Sequence, residues 1–566
     1  MSGRNLKTAF RFSIFFLAYV IITAFFIINF SFPLSAAIHS VSQDSVIENV
    51  TFNYPIPDHP FYHIKLFLNP KEKKPFRIKA IFVNNTEIRD FKVYNNTIYS
   101  RDNLITDTLP CFAIVRCDWV SAESYAVSIL GSWQGSEQIE ALSVSTNAPQ
   151  SGGYWNTDWK YYASLVISEN HGLDRSNEPI HSTLSLYRDR VINPEKEIRV
   201  VAVDPGNYHL TEIPSQVYDI VSWREYKNEQ LQPSTSFSLS FLADVQALTK
   251  KVYLIFYGNT NASFPDYKTD LTYTGEGPGL LIENSAAQFI LSPQSGALKQ
   301  MNVKMGIHQV YENTYGIGYS LYPGPACSIP RRPGVLAADW NPPENFTQIA
   351  GPVFIMTRRW GYLPGYQEAY ASITYLFYAN NPYHILMSSL EMREDSYIRG
   401  IHNGGVILNN NLFSEFAWKN LKGDISTIKL NEVPQLPKHA LELEPDTPWL
   451  AFVNREKEYG FGGITIETNT LKPTGSMARY ETPVINLNVG PFLNWYRGVA
   501  DPAGTINPQR VTFIQKGTIF YEKNAYMPFH LEKNNSFVQL NDYRQRLINP
   551  LSVSIVMDTD LRVPKK

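Results

Sequence analysis

The segment KKVYLIFY, residues 250–257, is apolar on both of its alternating faces from Val252 to Tyr257. Such a strand offers no face to water, which is typical of an interior strand in a sandwich or barrel. Residues 237–245, FSLSFLADV, alternate Phe, Leu and Phe with serine, as a strand with one buried face does. Similar short apolar runs, separated by Pro, Gly and Asn, fill the chain after residue 45, and sustained helical periodicity is nearly absent. The pattern predicts an all-β fold.

The length of 566 residues exceeds what one hydrophobic core supports, so we expect several domains. Two polar, glycine-containing segments, residues 145–156 and 272–279, are typical of linkers or domain edges. They divide the chain into a β-sandwich-like module at 45–143, a second β-domain at 154–271 and a large β-rich region at 280–566.

Residues 12–32 carry no charged side chain, and a helix of that length spans the hydrocarbon core of a bilayer. Three cations precede this segment: Arg4, Lys7 and Arg11. The positive-inside rule therefore predicts a cytoplasmic N-terminus and an extracytoplasmic body. We expect residues 1–40 to be an uncleaved signal anchor, with the membrane as a partner, or a cleaved signal peptide if the small residues 35–37 serve as a cleavage site.

The charge balance, 50 Lys+Arg against 52 Asp+Glu, provides no basic field for nucleic acid. The chain lacks H-E-x-x-H, G-x-S-x-G and Walker motifs, which argues against a zincin, an α/β-hydrolase and a nucleotide enzyme. We expect no cofactor; bound Ca²⁺ is left open, although no motif indicates it. Of the three cysteines, Cys111 and Cys117 are close enough to form a disulfide in an oxidising compartment, with three free thiols as the open alternative. Six N-x-S/T sequons permit glycosylation without demonstrating it: Asn49, Asn84, Asn95, Asn261, Asn345 and Asn534.

The segment MTRRWGYLPGYQEAY, residues 356–370, is read as a loop rich in arginine and aromatic side chains. Arg358 and Arg359 precede Trp360 and Tyr362. Arginine pairs bidentately with a uronate carboxylate or a sulfate, and flat rings pack on pyranose C–H groups. This composition predicts a binding site for an acidic polysaccharide or glycan. The open alternative is that the arginines pair with the region of Asp339 and Glu344 and that the rings are buried.

The segment GLLIENSAAQFILSPQSGALKQMNVKMG, residues 279–306, contains an apolar strand, the turn SPQSG and a second strand. It resembles the start of the β-supersandwich domains of galactose-mutarotase-like and polysaccharide-lyase proteins. Residues 373–395 and 448–466 also look like strands of that class, and the preceding β-domain is similar to those that rhamnogalacturonan-lyase-like proteins place before their sandwich. The resemblance implies a C-terminal β-supersandwich and a carbohydrate-active function, with a lyase reaction by β-elimination.

Such a lyase needs groups that neutralise the uronate carboxylate and a base that removes the neighbouring proton. For neutralisation we consider Arg358, Arg359 and Asn403, and the candidate bases are His402, His308 and Tyr362. His402 and Asn403 belong to IRGIHNGG, which is read as a glycine-flanked turn after a strand.

Three carboxylates would instead serve a hydrolase or a mutarotase-like epimerase: Glu391, Glu394 and Glu415. Glu415 is also included among the substrate-binding candidates, with Trp360. A rival hypothesis has no catalysis at all: a cell-surface glycan-binding or envelope structural protein. It is favoured by the absence of the helical toroid from which lyases often take their base. Whether the chain is an enzyme is left open by the sequence.

Overall fold

The computed structural model describes much of the chain between residues 47 and 556. The described residues are 47–53, 63–68, 75–83, 86–89, 91–95, 98–106, 111–116, 124–134, 140–147, 155–156, 158–187, 190–203, 210–227, 230–305, 309–312, 324–409, 412–436, 440–478, 485–490, 492–500, 511–531 and 537–556. The predicted membrane segment at 12–32, Cys117 and His308 lie outside these residues. Within them, no helix combines the length and the apolar character that crossing a bilayer requires.

The described strands form two compact units, and the first comes from the N-terminal part of the chain. Its strands are β1 (Ile47–Asn53), β2 (His63–Leu68), β3 (Phe76–Val83), β4 (Thr86–Ile88), β5 (Phe91–Asn95), β6 (Ile98–Ser100), β7 (Leu104–Ile105), β8 (Cys111–Arg116), β9 (Ser124–Trp133) and β10 (Glu140–Asn147). They form two sheets, ordered β1-β2-β8-β5-β6 and β10-β9-β3-β4, and β7 pairs with β3. Phe76, Ile81 and Val127 are fully buried between strands of this unit.

The second unit opens with a middle region. Its elements are β11 (Tyr161–Ser168), β12 (Arg175–Tyr187), the helix α1 (Pro194–Glu197), β13 (Arg199–Val203), β14 (Leu210–Ile213), β15 (Ser215–Lys227), β16 (Gln230–Val245) and β17 (Lys250–Tyr257). All six residues from Val252 to Tyr257 are buried, which confirms the predicted interior strand. Phe237, Leu239 and Phe241 of β16 are also buried, as their alternation predicts.

The rest of the second unit, from residue 272 to residue 556, forms mostly the large C-terminal sandwich. Its strands are β18 (Thr272–Glu276), β19 (Gly279–Glu283), β20 (Ala287–Leu291), β21 (Leu298–Met305), β22 (Gln309–Glu312), β23 (Ala326–Ser328), β24 (Val335–Leu336), β25 (Asn345–Ala350), β26 (Phe354–Leu363), β27 (Tyr366–Tyr378), β28 (His384–Met392), β29 (Ser396–Ile398), β30 (Gly400–Asn409), β31 (Glu415–Lys419), β32 (Ile425–Lys429), β33 (Ala440–Leu443), β34 (Trp449–Asn454), β35 (Tyr459–Leu471), β36 (Met477–Ala478), β37 (Ile485–Val489), β38 (Phe492–Ala500), β39 (Thr512–Ile514), β40 (Ile519–His530) and β41 (Ser552–Val556). Helix α2 (Val538–Ile548) and the 3-10 turns Ala337–Asp339 and Leu430–Gln435 complete the set. The prediction of an all-β chain is confirmed for the described residues.

Three sheets build the sandwich. The large sheet has the order β25-β26-β27-β28-β40-β35-β34-β31-β32, with β36 beside β35. The entry sheet, β18 to β22, and the facing sheet, β24-β23-β30-β38-β37-β33, both cover its inner face. Between the entry sheet and the large sheet, the ring centres of Phe289 and Phe377 are 4.6 Å apart. Between the facing sheet and the large sheet, the ring centres of Trp495 and Phe452 are 5.0 Å apart. These contacts define one continuous apolar core.

The outer face of the large sheet is covered only in part by the described residues. Helix α2 lies over it at Trp449, whose indole N–H donates to Asn541 Oδ1 at 3.1 Å. The middle region contacts the same face through His181, whose ring nitrogens lie 3.0 Å from Tyr218 Oη and 3.2 Å from Tyr378 Oη. Beyond Tyr378, toward the other end of β26 and β27, the outer side chains become exposed.

The chain returns to the middle region at its end. Strand β41 pairs with β11 in the sheet ordered β14-β13-β17-β11-β41. The region 280–566 therefore does not hold all of its own strands within one sandwich.

Three local predictions were wrong. The expected loop at 356–370 contains β26 and β27, and the expected turn at IRGIHNGG belongs to β30. The segment at 272–279, expected to be a turn-forming linker, contains the turn but belongs to the hairpin of β18 and β19. Polar side chains of β26 and β30 lie both on the solvent side and in the interior, as Arg359 and Asn403 do, so polarity alone gave the wrong prediction.

Candidate functional site

Strand β26 places its polar residues alternately on the two sides of the large sheet. Arg358 and Tyr362 are exposed and Trp360 is half-buried, whereas Arg359 is buried. Because successive side chains of a strand point to opposite faces, the first three share the outer face. We call the exposed part of this surface the arginine–aromatic face, and it consists of Arg358, Trp360, Tyr362, Tyr370, Ser372, Ser389, Glu391, Arg393 and Tyr521.

The guanidinium of Arg358 is fixed in place by two neighbours. It lies 5.0 Å from the centre of the Trp360 ring, and its Nε donates to Ser372 Oγ at 3.2 Å. No carboxylate forms an ion pair with it among the described residues. Asp339 belongs to the region that the sequence offered as an alternative partner for the arginines. Its carboxylate instead accepts the backbone N–H of Leu336 at 2.8 Å. The terminal nitrogens of Arg358 thus keep donors for an external anion.

A second arginine on this face also lies over an aromatic ring, but unlike Arg358 it pairs with a carboxylate. Arg393 lies 4.6 Å from the centre of the Tyr370 ring and pairs with Glu391 at 3.1 Å. The rings of Tyr362 and Tyr370 are nearly perpendicular, with 5.1 Å between their centres. The sequence reasoning missed Tyr370 and Arg393. The available signal was Pro364-Gly365 between two alternating segments, since this dipeptide is typical of a turn that pairs its flanking strands.

Arg359 points into the interior, where it is 2 % exposed. Its Nη2 donates to Tyr375 Oη at 3.0 Å, and the ring of Trp340 lies 5.9 Å away. Its Nε and Nη1 have no hydrogen-bond partner among the described residues. Burial lowers the pKa of this guanidinium from its ordinary value. Arg358 and Arg359 are therefore adjacent in sequence but lie on opposite sides of the large sheet.

His402 lies on the facing sheet rather than on the large sheet. Its half-buried ring packs against Tyr496, with 4.4 Å between ring centres. Its neighbours Ile401 and Asn403 are buried toward the large sheet, so His402 is on the far side of the sandwich from Arg358. Burial lowers the pKa of His402 to about 4, which makes its ring neutral near pH 7.

Asn403 belongs to a buried polar centre between the facing and large sheets. Ser388 Oγ donates to its Oδ1 at 2.8 Å, while its Nδ2 has no partner among the described residues. Beside it, Arg497 Nη1 donates to Glu522 Oε2 at 2.6 Å, with side chains only 4 % and 0 % exposed. Gly404 passes so close that a Cβ there would lie 2.3 Å from Glu522 Oε2. The recess next to this centre has room for about one water molecule, so it is closed to a sugar.

Glu415 lies on β31 and pairs with Arg455 at 2.8 Å. Six strand spacings separate β31 from β26, which corresponds to about 29 Å. Of the sequence-predicted residues, the structure thus brings together Arg358, Trp360 and Tyr362. It separates four others from them: Arg359 and Asn403 in the interior, His402 on the far side of the sandwich, and Glu415 on β31. Within the described ranges, no group of three or more metal-binding side chains lies together.

No protein-family model and no curated protein matches the chain. Among solved structures it is similar to a glycosyl hydrolase family 38 protein from Enterococcus faecalis, with 10 % identity and a TM-score of 0.42 over 71 % of this chain and 48 % of that one. It is also similar to an alpha-mannosidase from Enterococcus faecalis, with 11 % identity and a TM-score of 0.41 over 70 % of this chain and 46 % of the other. A TPR-domain containing protein from Parabacteroides distasonis follows, with 9 % identity and a TM-score of 0.30 over 62 % and 56 %. The chain spans about half the length of the first two structures, and similarity of this degree assigns it to no family.

Proposed function

We propose that the chain is an extracytoplasmic, membrane-anchored glycan-binding protein that holds acidic polysaccharide on its arginine–aromatic face. The observation that carries this proposal is the exposed Arg358, held against Trp360 with no carboxylate partner among the described residues. A guanidinium whose plane is already fixed loses little freedom on pairing with a carboxylate or sulfate. Tyr362 adds an exposed ring that packs on pyranose C–H groups.

The geometry favours binding over the lyase reaction. A base and a carboxylate-neutralising group must meet at adjacent atoms of one sugar ring. His402 is on the other side of the sandwich from Arg358. Tyr362 is four residues from Arg358 on the same strand, so their Cα atoms are about 13 Å apart. His402 and Arg358 therefore do not reach the same uronate, and of the candidate bases in the described ranges only Tyr362 shares a face with Arg358.

Binding is tested with the full chain, by titrating polyuronate, sulfated and neutral polysaccharides into the wild type and into Arg358→Ala. We expect affinity for the anionic polymers to fall by about tenfold or more in the variant, since a charge-assisted hydrogen bond is worth roughly 1.5–3 kcal/mol. Arg399→Ala is the matched control, because it removes an exposed arginine from outside the face. Equal losses in the two variants would show that only net charge matters and would reject the assigned face.

The same polymers decide between binding and cleavage. A lyase leaves an unsaturated sugar that absorbs in the ultraviolet, so absorbance is followed during prolonged incubation with the wild type. We expect binding without growth of absorbance. An increase in absorbance with the wild type that is lost in His402→Ala would restore the lyase hypothesis. Binding of neutral polymers as tightly as acidic ones would remove the acidic-glycan assignment.

A further inference from the structure

Three of the six sequons fall where the structure describes the asparagine side chain. The amide of Asn95 is engaged, because its Nδ2 donates to the Leu104 carbonyl at 2.9 Å and its Oδ1 accepts the Thr106 N–H at 2.9 Å. Asn261 and Asn345 are both exposed. The amide groups of Asn261 and Asn345 therefore remain open to modification in the folded chain.

Asn345 has a special position. It begins β25, one of the two edge strands of the large sheet, and pairs directly with Trp360 of β26. Residues directly opposite in an antiparallel pair place their Cβ atoms about 4.5–5.5 Å apart on the same face. A group attached to Asn345 would thus begin at the border of the arginine–aromatic face, beside Trp360. Asn261, in the loop after β17, has no such cross-strand neighbour.

Two physical effects favour a sugar at this position. The apolar C–H face of a pyranose packs on an aromatic ring, and Trp360 and Tyr362 provide rings within the first sugars' reach. A bulky hydrophilic group on an edge strand also blocks pairing with the edge of another molecule. Both effects stabilise the glycosylated monomer without any change in the fold.

We propose that Asn345 is an N-glycosylation site whose first sugars lie against Trp360 and Tyr362. The amide nitrogen forms a bond to C1 of an oligosaccharide carried on a polyprenyl pyrophosphate, in a reaction catalysed by a membrane-bound transferase. The bond from C1 to the pyrophosphate oxygen breaks, the nitrogen loses one proton and the lipid pyrophosphate leaves. The proposal rests on the extracytoplasmic location proposed above, and it makes the chain's own glycan an occupant of the same face.

The test expresses the full chain in cells that carry out N-glycosylation in their secretory pathway. Peptide mass mapping before and after amidase deglycosylation reports occupancy at Asn345 and Asn261 separately. We expect Asn345 to be occupied. An unoccupied Asn345, whether or not Asn261 carries a sugar, overturns the proposal.

Packing against the ring is measured by a double-mutant comparison. Asn345→Gln and Thr347→Val each remove the sequon, and the second retains the asparagine. We expect each sequon variant to lower the Tm by about 2–4 °C when Trp360 is present. The decrease should be much smaller when the same variant also carries Trp360→Ala. Asn261→Gln should show no such coupling. Equal losses in both backgrounds overturn the proposed contact, and polysaccharide binding by unglycosylated protein from bacteria tests the proposed function independently.

Discussion

Replacing Arg497 with methionine removes the cation that compensates Glu522 in the interior of the sandwich. The guanidinium donates to the carboxylate at 2.6 Å, to the Pro445 carbonyl at 2.8 Å and to Thr465 Oγ1 at 3.0 Å. Asn524 Nδ2 also donates to Glu522, at 3.0 Å, and among the described residues it would be the remaining donor to the carboxylate in the variant. The substitution therefore leaves a buried carboxylate with one weak partner.

The magnitude follows from burial. With 4 % and 0 % of the two side chains exposed, bulk water screens the pair only weakly. Breaking a buried ion pair from one side costs about 3–5 kcal/mol, because the remaining charge is uncompensated. We expect Arg497→Met to lower the free energy of unfolding by this amount.

The assay is urea unfolding of the sandwich, followed by tryptophan fluorescence. Arg455→Met is the matched control, because Arg455 pairs with Glu415 at a similar distance but with 43 % and 18 % of the side chains exposed. An exposed pair contributes about 0–1 kcal/mol. A loss in Arg497→Met as small as in Arg455→Met would refute the reasoning. The double variant Arg497→Met with Glu522→Leu should recover part of the loss, since it leaves no buried charge.

Three further outcomes are expected from urea midpoints. Gly404→Ala should lower the urea midpoint far more than Gly277→Ala. Both glycines have φ +56°, but of the two only Gly404 would place a Cβ against Glu522. Equal decreases in the midpoint would contradict this. Arg359→Met should be neutral or stabilising, because the buried guanidinium has no carboxylate partner among the described residues, and a clear loss would contradict it. The pKa of His402 is lowered from 6.5 to about 4, so the unfolded chain binds this proton more tightly and stability falls as pH decreases from 6.5 toward 4. His402→Phe should reduce this loss of stability at low pH. An unchanged pH dependence in the variant would contradict the assigned role of His402.

Local apolar pattern is what made much of the fold predictable. In β17 every residue from Val252 to Tyr257 is apolar and buried, and in β16 the serine alternation places Phe237 and Phe241 inside. Burial in a strand depends on alternation along the chain, so sequence alone reports it. Strand β20, the SPQSG turn and β21 were predictable for the same reason.

Pairing between distant strands was not predictable in this way. The return of β41 to β11 joins residues almost 400 positions apart, and no local pattern encodes it. Strand β26 was missed because Thr357 and Arg359, two polar residues, face the interior. A buried arginine breaks the alternation of apolar and polar residues that identifies a half-buried strand.

The density of arginine and aromatic residues in MTRRWGYL predicted one group of side chains, yet the structure places only some of them on the same face. A strand sends neighbouring residues to opposite faces, so Arg358 and Arg359 cannot serve one ligand while β26 is formed. The same rule extends the site in another direction, because strands β27 and β28 bring Tyr370 and Glu391 beside Tyr362 from other parts of the sequence. A surface assembled in this way extends over several strands of the large sheet. In the proposed binding mode several sugars of a polymer lie along it, whereas general acid or base catalysis requires a pocket in which one bond is surrounded.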